Sequence, residues 1–280
     1  MTAAPRTIGV HPITGGIGAE ISGVDISQAL SVEVVAEIRQ ALLDHLVIFI
    51  RDQEITPAQQ IAFVSRFGEP DIYPFVKGLE EFPQITPVLK LPDETVNFGG
   101  IWHSDTVYLE QPPMGTVLYA KELPPMGGDT LFANQYQAYE SLSPPLRDFL
   151  DGLTAINSAA KGSAAATRSD RMADGGTGRA EVLEAEHPVV RTHPETGRKA
   201  LYVNTGHTVR FNGMTEAEST PILDYLFQHQ IKPEFCCRFV WSPGSVAFWD
   251  NRCAQHYPVN DYHGHTRLLH RITLKGDKPY

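Results

Sequence analysis

Short apolar runs separated by proline and glycine constrain this chain more than any other feature. It carries 21 prolines and 23 glycines in 280 residues, enough to break the sequence into many short elements. Leu46-Val47-Ile48-Phe49-Ile50 is a continuous apolar run and reads as a buried strand. Further short strands are expected at Ile8–Pro12, Ala19–Val24, Thr116–Lys121, Thr130–Ala133 and Lys199–Asn204. Three more follow at Arg238–Trp241, Val246–Trp249 and Thr266–Leu274. Helices are announced by their caps: Ser31, the Thr56-Pro57-Ala58-Gln59 capping box, Ser143-Pro144, and the Thr215-Glu216-Ala217-Glu218 capping box. The pattern predicts a mainly β jelly roll with helices packed outside.

The composition excludes several classes. A formal net charge of -10 argues against a nucleic-acid binder, which needs a basic face. No apolar run is long enough to span a membrane, and residues 1–7 carry no signal-type apolar core, so no membrane partner and a cytoplasmic setting are expected. Cys236, Cys237 and Cys253 make no disulfide framework, which fits a reducing compartment. No internal repeat is present, and residues 1–280 read as one domain. The stretch from about Ser158 to Glu184 is small, polar and weakly periodic; it is either a lid or a disordered segment.

Trp102-His103-Ser104-Asp105 offers a metal-ligand pair. On a strand, His103 and Asp105 would share a face, roughly 6 to 7 Å apart. A His-x-Asp pair is weak alone, and His193-Pro194-Glu195 is a competitor that reads instead as a hairpin tip before Thr196-Gly197. A third ligand could come from His207, His229, His256, His263, His265 or His270. His256 is favoured because it follows the buried strand ending at Trp249. Two histidines and one carboxylate leave the opposite face of a metal open, as in non-haem Fe(II) oxygenases.

Arg267 and Arg271 lie on one face of a strand, roughly 13 Å apart by strand rise. Two inward-facing arginines are costly unless each meets an anion. They either form salt bridges within the protein or bind carboxylate or sulfonate groups.

The ordered blocks Phe49-Ile50-Arg51-Asp52-Gln53, Trp102-His103-Ser104-Asp105, Gly127-Gly128-Asp129-Thr130, Val189-Val190-Arg191-Thr192-His193-Pro194 and Trp249-Asp250-Asn251-Arg252 with His256 run over nearly the whole chain. In these the chain resembles the taurine/2,4-dichlorophenoxyacetate dioxygenase family. The resemblance implies a double-stranded β-helix, Fe(II) as the metal, and 2-oxoglutarate and O2 as cosubstrates. It implies that His103, Asp105 and His256 bind the iron, that Thr130 and Arg267 hold the distal carboxylate of 2-oxoglutarate, and that Trp249 lies near the metal. Arg271 would meet the anionic head group of a substrate. Hydroxylation coupled to formation of succinate and CO2 follows, from the same resemblance.

The pocket positions depart from the taurine pattern at Tyr73, Val76, Gly99 and His207. These changes remove groups suited to a small primary amine. A small anionic substrate is expected: taurine, another alkyl sulfonate, a sulfate ester or an aryloxy-carboxylate. The competing readings are a non-anionic metabolite and a catalytically silent binding module on the same fold. The resemblance also implies a homo-oligomer, dimeric or tetrameric.

Overall fold

A computed structural model of the chain describes residues 7–73, 76–161 and 183–280. From the N-terminus it forms β1 (Gly9–Pro12), β2 (Ala19–Ser22), α1 (Val32–His45), β3 (Val47–Ile50), α2 (Pro57–Val64), β4 (Pro70–Asp71), β5 (Thr86–Lys90), β6 (Gly115–Glu122) and β7 (Thr130–Asn134). Then come α3 (Gln135–Glu140), α4 (Pro144–Asp151), β8 (Thr154–Ser158), β9 (Glu184–Pro188), β10 (Val190–Thr192), β11 (Lys199–Leu201) and β12 (Thr208–Phe211). Helix α5 (Glu216–His229) leads to β13 (Cys236–Phe239), β14 (Val246–Asp250), β15 (Ala254–Pro258) and β16 (Arg267–Leu274). The anticipated lid at 158–184 lies largely outside the described residues. Its two ends are paired, with Ser158 opposite Glu184 in the β8–β9 ladder.

The helix starts follow their caps. Ser31 accepts from the Val34 N–H at the start of α1, and reciprocal capping boxes open α2 at Thr56/Gln59 and α5 at Thr215/Glu218. Leu46 does not join the strand as the apolar run suggested. It closes α1 in the left-handed region (φ 65°), donating to Leu42 O, and β3 starts one residue later.

An eight-stranded sheet runs β1-β2-β3-β14-β6-β16-β4, with β5 also on β16, and only the β2–β3 pairing is parallel. A three-stranded sheet, β13-β7-β15, packs against its inner face. Strand β3 explains why its sequence is apolar throughout. Ile48 and Ile50 face an outer core with α1 and α2, while Val47 and Phe49 face the space between the sheets. There Phe49 stacks on Phe239 with ring centroids 3.9 Å apart. β14 repeats this division, with Phe248 outward and Trp249 inward. A third core, under α3, α4 and α5, supports β8, β11 and β12. These packed sheets are the jelly roll that the short strands predicted, and one end of the inter-sheet space holds the polar residues described next.

Candidate active site

His103 does not lie on a regular strand. Residues 102–106 form a bend, one bridge and a turn, with Thr106 at φ 45°. The expected strand face is therefore not what aligns the pair. His103 is set by one antiparallel bridge to His256, in which each backbone N–H donates to the other's carbonyl at 3.2 and 2.9 Å. His256 is also not at a strand exit. It sits inside β15, opposite Phe132 of β7. The ligand atoms of His103, Asp105 and His256 nevertheless lie within 4.8 Å of one another, all three residues buried.

The donor set suits a divalent metal. The His103 Nδ1 lies 2.6 Å from the Ile101 carbonyl. That contact calls for a proton on Nδ1 and makes Nε2 the lone-pair nitrogen, 3.7 Å from Asp105 Oδ1. Burial, reinforced by His103, holds His256 well below the usual histidine range, so its imidazole is neutral. Burial opposes ionisation of Asp105. Arg271, the two histidines and the Thr116 hydroxyl outweigh it and keep the carboxyl well below its usual range. Two neutral imidazoles and one carboxylate are the ligands that non-haem Fe(II) centres use.

Beyond the centre, Arg267, Leu269 and Arg271 alternate inward along β16, as the strand pattern predicted, while Leu268 and His270 are less buried. Arg267 is almost fully buried, yet its Nε and Nη2 meet no hydrogen-bond partner among the described residues. Burial lowers its pKa, and the nearby Tyr262 and Asp129 only partly offset this. A buried guanidinium with unmatched donors is a strong signal for an absent anion. Thr130 lines the same cavity. Its Oγ1 accepts from Trp241 Nε1 at 3.0 Å, which leaves the hydroxyl proton available to a ligand. The residues present thus fit a dicarboxylate running from the metal to Arg267. Lys90, paired opposite Arg267 and held by Asn260 Oδ1 at 2.8 Å, adds a second cation to this wall.

Arg271 lies on the other side. Its Nη2 is 2.8 Å from Asp105 Oδ1, an ion pair not aligned as a hydrogen bond, and its guanidinium stacks over Tyr73 at 4.9 Å. Gly99 lines the cavity close to His103. His207 does not line it. That ring is buried behind His103, edge-on to Tyr108 at 5.0 Å and to His103 at 6.1 Å. The cavity encloses about 610 Å³ of non-atom space, part of it open to solvent.

A second cluster, His193, Asp250 and Cys253, also has ligand atoms within 4.8 Å. Its hydrogen bonds show why it is not a metal centre. His193 Nδ1 accepts from the Glu195 and Thr196 N–H groups at 3.2 Å each, so the ring proton is on Nε2, donated to Asp250 Oδ2 at 3.0 Å. Glu195, the other half of the competing His-x-Glu pair, is salt-bridged to Arg39 and Arg252.

Sequence reading missed Thr116, Asn251, Lys90 and Tyr262. Thr116 was within reach, because it alternates with Leu118 on the inward face of β6. Asn251 and Tyr262 lie on turns and loops whose course no local pattern announces, and Lys90 ends β5, a strand the apolar pattern did not mark.

A jelly roll with two histidines and a carboxylate at one end of its interior, and a buried arginine beyond them, defines a non-haem iron oxygenase. The chain belongs to the TauD/TfdA family: the model described as "Taurine catabolism dioxygenase TauD, TfdA family" matches residues 9–273. It is an Fe(II)- and 2-oxoglutarate-dependent dioxygenase. It is 36% identical to an alpha-ketoglutarate-dependent sulfate ester dioxygenase of Pseudomonas putida, over 100% of this chain and 94% of that protein. It is 35% identical to an alkylsulfatase of Acinetobacter baylyi, over 96% and 85%. Its fold matches a taurine dioxygenase from Burkholderia xenovorans with a TM-score of 0.84, at 38% identity, covering 98% of this chain and 92% of that one.

Proposed function

We propose that the enzyme hydroxylates a small organic anion at the carbon bearing its head group, with sulfate esters favoured and alkyl sulfonates next. One observation carries this reading: β16 places two buried guanidiniums, Arg267 and Arg271, on one face beside the His103–Asp105–His256 cluster. Arg267 keeps Nε and Nη2 without a hydrogen-bond partner, and Arg271, although ion-paired with Asp105, keeps Nε and Nη2 without an aligned one, so each has donors to offer an anion. Arg267, with Thr130, takes the distal carboxylate of 2-oxoglutarate by charge-assisted hydrogen bonds. Arg271, backed by Tyr73, takes the substrate head group and holds its neighbouring carbon toward the metal. His103, Asp105 and His256 hold Fe(II), which with 2-oxoglutarate and O2 supplies the oxidant for C–H hydroxylation, giving succinate and CO2. The apolar walls Val88, Leu118 and Leu269 exclude water from that reaction.

The favoured head group rests on the relatives, whose names specify a sulfate ester dioxygenase and an alkylsulfatase. Hydroxylation at the ester carbon gives an adduct that collapses to a carbonyl compound and free sulfate; from a sulfonate it gives sulfite. The test is a panel of alkyl sulfates, alkyl sulfonates and aryloxy-carboxylates, scored for sulfate, sulfite and succinate. Sulfate release with matching succinate is expected. Succinate with no sulfur anion from any member would overturn the head-group assignment. No succinate with any member would leave a binding module.

Three further readings go with the proposal. The three cysteines are free, which supports a reducing cytoplasmic setting; among the described residues no helix is long and apolar enough to cross a membrane. Residues 1–280 work as one dioxygenase domain. The enzyme assembles as a dimer or tetramer, which light scattering of the purified protein tests.

A further inference from the structure

We propose that Thr116 and Asn251 are positioning residues that assign the two carboxylate oxygens of Asp105 to different tasks. This rests on His103, Asp105 and His256 being the metal centre.

The direction of every hydrogen bond in the group is fixed by chemistry. Trp249 Nε1 can only donate, and it lies 2.8 Å from Asn251 Oδ1. The backbone N–H of Asp105 points to the same oxygen at 3.4 Å. The Asn251 amide therefore cannot be flipped, and its Nδ2 faces the Thr116 hydroxyl at 2.9 Å. Nδ2 donates there. The one proton of that hydroxyl is then left for Asp105 Oδ2, 2.7 Å away. The series runs Trp249 to Asn251 to Thr116 to Asp105, and every member is at most 3% exposed.

The consequence lies in which oxygen faces the histidines, and it is the one that accepts no aligned hydrogen bond and meets Arg271 Nη2 as an ion pair at 2.8 Å. Oδ2 is occupied by Thr116. Oδ1 is the oxygen turned toward His103 Nε2, at 3.7 Å, and toward Arg271. The relay thus presents one oxygen to the metal and holds the other back. It opposes rotation of the carboxylate into two-oxygen ligation, which would take a position needed by cosubstrate or O2. Outer hydrogen bonds of this kind orient ligands and sustain metal affinity. In a buried network with all members satisfied, loss of one link is felt at the ligand.

The experiment titrates the metal-free protein with Co(II) alone, following binding by chelator competition and geometry by the visible ligand-field spectrum. Thr116→Val keeps the side-chain shape and removes the hydroxyl. It is expected to bind Co(II) about 10–100-fold more weakly, with a spectrum shifted toward higher coordination, whereas Thr116→Ser recovers to within about threefold of the parent. Thr116→Ala also lacks the hydroxyl, and it serves alone if Thr116→Val does not fold by circular dichroism. Weak binding by both Val and Ala variants supports the relay. Parental binding and spectrum in a folded Thr116→Val, even beside weak binding in Thr116→Ala, assigns Thr116 to packing and overturns the relay, as does parental binding in Thr116→Ala where that variant serves alone. The parent failing to bind Co(II), or His103→Ala binding as the parent does, overturns the centre itself and this proposal with it.

Discussion

His103 and His256 are bonded to each other through their backbones in both directions, with N–H to carbonyl distances of 3.2 and 2.9 Å. The bridge uses no side-chain atom. Replacing either imidazole therefore removes a candidate metal ligand and leaves the backbone bridge in place. His103→Ala and His256→Ala are each expected to lose stoichiometric Fe(II) binding while melting within a few degrees of the metal-free parent. A large loss of melting temperature would show that the imidazoles themselves hold the two segments together.

Arg267 gives the opposite sign for stability and function. Its buried, incompletely bonded charge costs several kcal/mol. Its ring contacts with Trp241 and Tyr262, each at 5.7 Å, return about 1–2 kcal/mol. Arg267→Ala is expected to weaken 2-oxoglutarate binding by about 10²-fold or more, through loss of charge-assisted hydrogen bonds. Its melting temperature without cosubstrate should stay level or rise. Arg267→Lys should recover little, because an ammonium cannot offer the paired donors of a guanidinium. Calorimetric titration of 2-oxoglutarate decides this.

Gly99 separates backbone strain from crowding at the candidate ligand His103. It has φ 70°, and a Cβ there would lie 3.1 Å from His103 Cε1. Gly264 has φ 80° with open space around it. Alanine at either position costs about 1–2 kcal/mol of backbone strain. Only Gly99→Ala is expected to weaken Co(II) binding, by about tenfold or more, because it displaces a ligand whose affinity depends on orientation. Equal metal affinity in both variants would refute this.

Acid stability should report on Asp250. Burial opposes its ionisation, but Arg252 and His193 hold it well below the usual carboxylate range. A carboxylate depressed in the folded state adds stability that is complete above its unfolded pKa of about 3.9 and lost as pH falls through the folded value. Asp250→Asn should therefore be less stable by about 3–5 kcal/mol near neutral pH, with the gap to the parent narrowing below about pH 4. Urea unfolding at several pH values measures it. A gap that does not change with pH would remove the charge from the explanation.

Metal stoichiometry tests the two histidine clusters against each other. His193 Nδ1 is occupied by two backbone N–H groups and its Nε2 proton by Asp250. One Fe(II) per chain is expected, and His193→Gln should leave that count unchanged. Two ions per chain, falling to one in His193→Gln, would show that the second cluster binds metal.

The sequence by itself determined most of the scaffold. The caps at Ser31, Thr56 and Thr215 mark helix starts because each satisfies backbone N–H groups within four residues. The apolar run at Val47–Ile50 marks a strand buried on both faces, and alternation along β16 turns Arg267 and Arg271 inward. These are local rules, readable in a short window. The candidate centre is not local. His103 and Asp105 lie on a turn that no periodicity describes, and the register of β15 on β7 with its bridge to His103 is what brings His256, of the six candidate histidines downstream, beside them. The Thr116–Asn251 relay joins β6 to the turn after β14, and its directionality exists only once Trp249 is packed above it. Tertiary structure decided these features because hydrogen bonding and charge at such a site depend on distances between segments far apart in the chain, and strand register within each sheet together with packing between the sheets sets those distances.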